Sequence, residues 1–388
     1  MPNSLLHEKL LAGFRRKYGR EPEAVAYAPG RVEVLGNHTD YNEGFVLSAA
    51  INFGIGFACA RRSDATCHIT AANLRQDTSF PLAEPKPTKN FGWSNYVKGV
   101  LQGLGELAPL TQGFDAFFLG DLPMGSGLSS SAALEISAGL ALSRLFGIQV
   151  DPIALAKIGQ TAEHRFAGVQ CGLLDQISSL FGKEGALVQT DFRSLAVTNV
   201  MLGGDACLLM CNTHAKHALV DGEYNQRRAA CEEAALAFAG VLPHPVRALR
   251  DVSWAEWETH HAALPEEVAR RAAHPIGENA RVLQGVERLA VGDLAGFGQL
   301  MFESHESSRL NFENSCPELD WIVATARQVP GVLGARLSGG GFGGSAVLLA
   351  HPRDAQTAGA AIAHAYRQAF GKGCDTSILV PSDGARWV

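Results

Sequence analysis

A two-domain α+β fold is what this sequence predicts. Strand-like and helix-like runs are mixed without the strict alternation of a doubly wound sheet. The texture changes near residues 190–206, after which an Ala-rich, charged helical stretch takes over before strands return. With 388 residues, the chain is long enough to build more than one core. The expected division is 1–200 and 201–388, with the last strand free to return to the first domain.

The elements follow in order. Residues 4–19 carry the apolar spacing of an amphipathic helix. Pro29–Gly30 reads as a turn, Arg31–Leu35 as a strand and Gly36–Gly44 as a polar loop. Phe45–Arg61 is apolar and rich in small residues, as a buried strand would be. Residues 84–89 (EPKPTK) form a loop, Trp93–Leu104 a helix and Phe114–Leu119 a short strand. After the small-residue loop Gly125–Ser131 come helices over Ala132–Leu145 and Ile153–Phe166, then a Gly/Cys loop that leads into Leu174–Phe181. The second half starts with a strand at Ala206–Cys211. A helical section follows from Tyr224 to Arg327, punctuated by Pro243, Pro245, Pro265 and Pro275. Strands close the chain at Gly334–Leu337, Ala346–Leu349 and Thr376–Val380.

Composition removes several functions. The net charge of -6 provides no basic field for nucleic acid or anionic lipid. The N-terminal run is broken by His7, Glu8 and Lys9, so no signal-peptide core is expected. The apolar stretch Ala132–Phe146 contains Glu135 and Arg144 and is too short for a bilayer. Eight scattered cysteines form no CxxC pair, which suggests reduced thiols in a cytoplasmic enzyme.

The first chemical signal is the run Leu122-Pro-Met-Gly-Ser-Gly-Leu-Ser-Ser-Ser131. Gly125 and Gly127 lack Cβ atoms, so their backbone can take positive φ and bring N–H groups together. The serines then open a helix, whose unpaired N–H donors and dipole suit an anion. This is not a Walker A loop, because GxxxxGK[ST] is absent. Alone, the run also fits a Gly/Ser turn capping a core helix. A second glycine run, Ser338-Gly-Gly-Gly-Phe-Gly-Gly-Ser345, contains GxGxxG but leads into a strand-like segment. A dinucleotide fingerprint must open a helix, so this run instead lets backbone approach the loop or substrate, or forms a hairpin turn.

Arg31, Asn37, His38 and Asp40 crowd one short segment. A polyhydroxylated ligand needs that mixture of donors and acceptors, although a solvated Asn/Asp turn would look the same. Asp175 sits within an apolar run and could cap a helix. Glu163 would by default be a surface residue.

Together these segments resemble the galactokinases of the GHMP small-molecule kinase superfamily. The carriers are the GRV…HTDYN block at Gly30–Asn42, the loop ending in Ser129-Ser130-Ser131 and the late glycine run. Further family-like blocks are Trp93–Gly99, Gly172–Gln176, Tyr224–Arg228 and Glu303–Arg309. The likeness spans the chain from about residue 10.

The resemblance implies a ribosomal protein S5 domain 2-like N-terminal domain and a ferredoxin-like C-terminal domain, with the active site in the cleft between them. It implies ATP-dependent phosphorylation of the C1 hydroxyl of α-D-galactose, the entry step of the Leloir pathway. It implies these roles: Asp175 and Arg31 catalytic; Asn37, His38, Thr39, Asp40, Gly172 and Tyr224 on the sugar; Trp93 on adenine. Gly125, Ser126, Gly127, Leu128, Ser129, Ser130 and Ser131 would wrap the ATP phosphates, and Ser131 with Glu163 would hold Mg²⁺. The expected partners are galactose and MgATP, with no nucleic acid or membrane; a monomer is expected, an oligomer left open.

Asn37 stands where the family pattern has Glu. Asn keeps an acceptor but loses the charge and adds two donors, so the sugar's C6 position is where specificity could shift. A related kinase of N-acetylgalactosamine or arabinose, and a non-catalytic galactose sensor, are the rival readings. Intact Ser129–Ser131, Arg31 and Asp175 disfavour the sensor.

Overall fold

The computed structural model describes residues 4–90, 92–123, 126–216 and 220–388. Helix α1 (Ser4–Tyr18) leads into strands β1 (Ala24–Leu35), β2 (Phe45–Arg61), β3 (Thr66–Ala71) and β4 (Gln76–Pro81). Next come α2 (Trp93–Leu107), β5 (Phe114–Gly120), α3 (Ser130–Phe146), α4 (Pro152–Ala162), α5 (Leu174–Phe181), β6 (Ala186–Asp191) and β7 (Ala196–Met201). The later part holds β8 (Cys207–Lys216), α6 (Val220–Val241), α7 (Trp254–His260), α8 (Glu266–Ala290), α9 (Leu294–Ser307) and α10 (Pro317–Ala326). It ends with β9 (Val332–Ser338), β10 (Gly343–Ala350), α11 (Pro352–Phe370), β11 (Asp375–Leu379) and β12 (Arg386–Trp387).

Two sheets organise these elements. The first has eight strands, ordered β12-β1-β2-β5-β3-β4, with β6 and β7 branching from β2. The branch exists because β2 is 17 residues long and changes neighbour along its length. Its first residues pair with β6 from Phe45 to Ser48, and its last pair with β5 from Ile55 to Arg61. The second sheet is antiparallel, ordered β11-β8-β10-β9. Strand β12 pairs with β1, so the last residues of the chain join the first sheet.

One core lies between β-layer and helices of the first half, with Phe57, Ile69 and Phe114 meeting Val97, Leu101 and Leu142. A second core ties the two sheets together. It joins Val32, Val34 and Leu47 to Leu208, Met210 and Val347, sealed by Val282 and Phe297 of α8 and α9. Burial of this kind stabilises by about 25 cal/mol per Å² of apolar surface, and here it fixes β1 relative to the late glycine run.

Three local expectations are corrected. Pro29–Gly30 is not a turn; it is a bulge inside the continuous strand β1, where the pairing with β2 shifts register. A Cβ on Gly30 would lie 2.5 Å from the Leu128 carbonyl oxygen, so only glycine lets the two backbones meet there. Pro275 does not break the helical section. It is buried inside α8, a 25-residue helix whose apolar face docks along its length. That docking outweighs a proline cost of about 3 kcal/mol. The helix expected over 153–166 ends its α-turns at Ala162 and continues as a wider π-turn, Glu163–Ala167.

Candidate active site

The Gly/Ser loop joins β5 to α3. Gly127 has φ +72°, and Ser129, just before the helix, has φ +56°. These left-handed residues swing the chain so that α3 begins at Ser130 with its first N–H groups unpaired by the helix. A concavity of about 280 Å³ opens there, lined by Arg31, Ser126, Gly127, Leu128, Ser129, Ser130, Ser131 and Asp175 among others. The late glycine run braces it: Ser345 Oγ donates to the Ser126 carbonyl at 2.8 Å. Gly125 lies outside the described residues.

Beside this cradle is a larger cavity of about 400 Å³. Arg31, Glu33, Asn37, His38, Asp40, Gly172, Asp175, Tyr224, Gly339 and Gly340 are among the residues lining it. Arg31 and Asp175 therefore border both spaces. Arg31 Nε donates to Asp175 Oδ1 at 2.7 Å, and its Nη1 donates to the Gly127 carbonyl at 2.7 Å. The Ser129 hydroxyl donates to the other Asp175 oxygen. One carboxylate, one guanidinium and the helix start are thus locked together at the junction.

The bulge at Gly30 sets this up. Beyond it, Arg31 and Glu33 share one face of β1 by the two-residue period, while Val32 and Val34 enter the core. Asp175 is the second residue of α5, and packing of α5 against β1 keeps it opposite Arg31.

Carboxyl groups gather around the cradle. Burial pushes Glu163 up to about 7; the Asp175 carboxylate adds to this and the Ser131 hydroxyl opposes it. Ser131 Oγ donates to Glu163 Oε1 at 3.0 Å. Glu135 is raised well above its ordinary value by burial and by Glu163. Its Oε1 is buried without a hydrogen-bond partner. Such a surplus of buried acid suits a cation, and a hydroxyl with a carboxylate is the oxygen chemistry Mg²⁺ accepts. Among the described residues no group of three or more His, Cys, Asp or Glu is arranged to hold a metal. Ser131 and Glu163 could hold such an ion together with phosphate oxygens and water.

The residues that line the larger cavity sit as follows. His38 takes a left-handed backbone, φ +60°. Its ring lies 2.8 Å from the Tyr41 hydroxyl through Nδ1 and 3.1 Å from the Gly340 carbonyl through Nε2. Nε2–H must then be the donor, leaving Nδ1 to accept. Burial pushes His38 down to about 4, so the ring is neutral near pH 7. Burial pushes Asp40 up to about 6; the Tyr41 N–H opposes this, while the Glu33 and Asp175 carboxylates reinforce it. Gly172 faces Asp40 so closely that a Cβ there would be 1.7 Å from Oδ2. Tyr224, from α6, closes the wall with its ring 5.2 Å from that of His38.

Two expected residues are elsewhere. Thr39 is fully buried and does not line the cavity. Its hydroxyl sits 2.7 Å from the Gly36 carbonyl and 2.6 Å from that of Phe45, shaping the loop instead. Trp93 packs edge-on against Phe118, and its indole N–H donates to Gln76 at 2.6 Å; it lines neither space. Conversely, Glu33, Asn225 and the segment 167–171 line the cavity without having been singled out. Glu33 could have been found, since strand periodicity puts it beside Arg31.

Comparison with known proteins gives the chain's family. Three family profiles match: "Galactokinase galactose-binding signature" over residues 12–61, "GHMP kinases N terminal domain" over 95–183 and "GHMP kinases C terminal" over 283–368. The fold is thus that of a GHMP small-molecule kinase. A galactokinase of Mannheimia succiniciproducens is 41% identical over 377 residues, 96% of each chain. One of Roseiflexus is 38% identical over 371 residues, covering 96% of this chain and 94% of the other. The chain belongs to the galactokinase family. The crystal structure of Lactococcus lactis galactokinase complexed with galactose superposes with a TM-score of 0.92 at 31% identity, covering 98% of this chain and 99% of that one. Methanococcus jannaschii mevalonate kinase shares the fold, with a TM-score of 0.64 at 16% identity, covering 92% and 98%.

Proposed function

We propose that this chain transfers the γ-phosphoryl group of ATP to the C1 hydroxyl of α-D-galactose, giving α-D-galactose 1-phosphate and ADP. The observation that carries this is the shared border: Arg31 and Asp175 belong both to the phosphate cradle and to the polar cavity. A hydroxyl bound in one space faces a phosphate bound in the other. The galactose named in the Lactococcus lactis structure supports the choice of sugar.

The residues divide the work. The N–H groups that open α3 and the Ser130 hydroxyl hold phosphate oxygens. Arg31 offsets charge on the transferred group. Asp175, bonded to Arg31 and Ser129, orients the C1 hydroxyl and receives its proton. It need not be a strong base, because phosphoryl transfer passes a loose transition state in most analyses and the proton leaves late. Ser131 and Glu163 would hold Mg²⁺, which would neutralise phosphate charge. Asn37, His38, Asp40, Gly172 and Tyr224 shape the sugar pocket, and Trp93 is assigned to the adenine side.

The division at about residue 200 into two domains, with the site in the cleft between them, belongs to the same reading; the two sheets and the return of β12 support it. Eight unpaired cysteines support a cytoplasmic setting. No helix among the described residues is long and apolar enough to cross a membrane.

The test is a coupled ADP-release assay with galactose, with phosphorus NMR to locate the ester. Galactose-dependent ADP and a C1 phosphate are expected. ADP release no greater with galactose than without it rejects the assignment.

A further inference from the structure

We infer that Glu33, rather than Asn37, presents the acceptor that recognises a non-reacting hydroxyl of the sugar. This rests on the galactose reading above and adds a specificity residue to it.

The argument is an accounting of hydrogen-bonding capacity. Asn37 is 1% exposed, and its amide is nearly spent. Its Nδ2 donates to Glu33 Oε1 at 2.9 Å and to the Gly339 carbonyl at 2.8 Å. Its Oδ1 accepts from Asn314 Nδ2 at 2.9 Å. Both amide hydrogens and one of two lone pairs are therefore committed to protein groups. Asn37 works as a clasp between β1 and the late glycine run. His38 is likewise engaged through both ring nitrogens.

Glu33 differs. Its Oε1 takes two bonds, from Asn37 and from Arg336 Nη1 at 2.8 Å. Its Oε2 has no hydrogen-bond partner among the described residues, yet the residue lines the cavity. Arg336 is fully buried in β9 and holds the carboxylate from behind. Its grip fixes which oxygen faces forward. A nearly buried carboxylate with one free oxygen is completed by a donor from the ligand. With Asp40 and Asp175 nearby, an anionic group is disfavoured there, so the partner is a neutral hydroxyl.

A site built to bond a hydroxyl discriminates against sugars lacking it. The experiment therefore crosses a protein change with single deletions in the substrate. The unsubstituted chain and Glu33→Gln are assayed for kcat/KM with galactose and with its 2-, 3-, 4- and 6-deoxy forms. In Glu33→Gln the amide oxygen can keep Arg336 and Asn37 while an N–H₂ group faces the cavity. We expect about a tenfold or larger loss on galactose and on three deoxy sugars. On the fourth, which lacks the recognised hydroxyl, the loss should be about twofold or less. Because the comparison is made within one variant, a general disturbance of the fold cancels. Glu33→Asp keeps the charge for Arg336 but withdraws the free oxygen, and it serves if the glutamine variant does not fold. Asn37→Ala should lower all five sugars by one common factor.

A uniform loss across all sugars in both Glu33 variants, with the unsubstituted chain active, overturns the role of Glu33 alone. So does a selective loss in Asn37→Ala that the Glu33 variants lack. Failure of the unsubstituted chain to phosphorylate galactose overturns the galactose reading and this inference with it.

Discussion

Replacing Asp175 by alanine separates chemistry from architecture at the junction. The carboxylate accepts from Arg31 at 2.7 Å and from the Ser129 hydroxyl. Its loss leaves a guanidinium only 9% exposed, with the Gly127 carbonyl as its remaining partner. A fully buried pair broken in this way costs about 3–5 kcal/mol. Here the carboxylate side chain is 23% exposed and repels Glu163, so the stability loss should be smaller, about 1–2 kcal/mol. The catalytic loss should be far larger. Positioning the hydroxyl and receiving its proton together set an expectation of about 10³-fold or more in kcat. Calorimetric titration should find galactose affinity changed by less than about tenfold, since transition-state contacts chiefly move kcat. Single-turnover assays with saturating MgATP read the chemistry. A kcat within tenfold of the unsubstituted chain would remove Asp175 from the mechanism.

Three further outcomes are expected. Gly172→Ala puts a Cβ onto the Asp40 carboxylate, so galactose KM should rise by about ten- to a hundredfold with the fold intact by circular dichroism; an unchanged KM would free Asp40 from the sugar wall. Ser131→Ala removes a hydroxyl beside Glu163, so the Mg²⁺ concentration for half-maximal activity should rise at least about threefold, and an unchanged Mg²⁺ curve would exclude Ser131 as a ligand. His38 sits at about 4 when folded against about 6.5 unfolded, so below pH 6.5 the unfolded chain binds the proton first. The stability it contributes is present above 6.5 and lost as pH falls to about 4, up to ~3 kcal/mol. His274 shifts in the same direction and Asp40 opposes, so the clean readout is the urea midpoint of His38→Gln between pH 7.5 and 4.5. A variant that loses as much as the unsubstituted chain would contradict the shift.

What the sequence conveyed followed the range of the forces involved. Glycines and serines before α3 state their own backbone geometry, so the cradle was legible. The apolar run of β2 was equally plain. Strands β3 and β4 were not, because β4 alternates partly buried and exposed residues without a strong apolar signal. Pro29–Gly30 carries a turn signature, and only the approach of Leu128 turns it into a bulge. Glu278 is the extreme case. Its buried carboxylate accepts the N–H groups of Gly36 and Asn37, 242 and 241 residues away, and so fixes the loop that carries His38 and Asp40. Burial alone would raise Glu278, but Arg281, His274 and Arg336 together hold it well below the ordinary range. Nothing near residue 278 in the chain announces that role. The partial saturation of Asn37 is similar, since two of its three partners lie more than 270 residues on.

A crystal structure with galactose, Mg²⁺ and a non-hydrolysable ATP analogue would bear on the junction itself. The anomeric oxygen should lie about 2.6–3.2 Å from the Asp175 carboxylate. The γ-phosphorus should face it at about 3–3.5 Å, with its oxygens on the start of α3. A sugar bound with its anomeric oxygen turned away from Asp175, or phosphates outside the Ser126–Ser131 loop, would contradict the proposed chemistry.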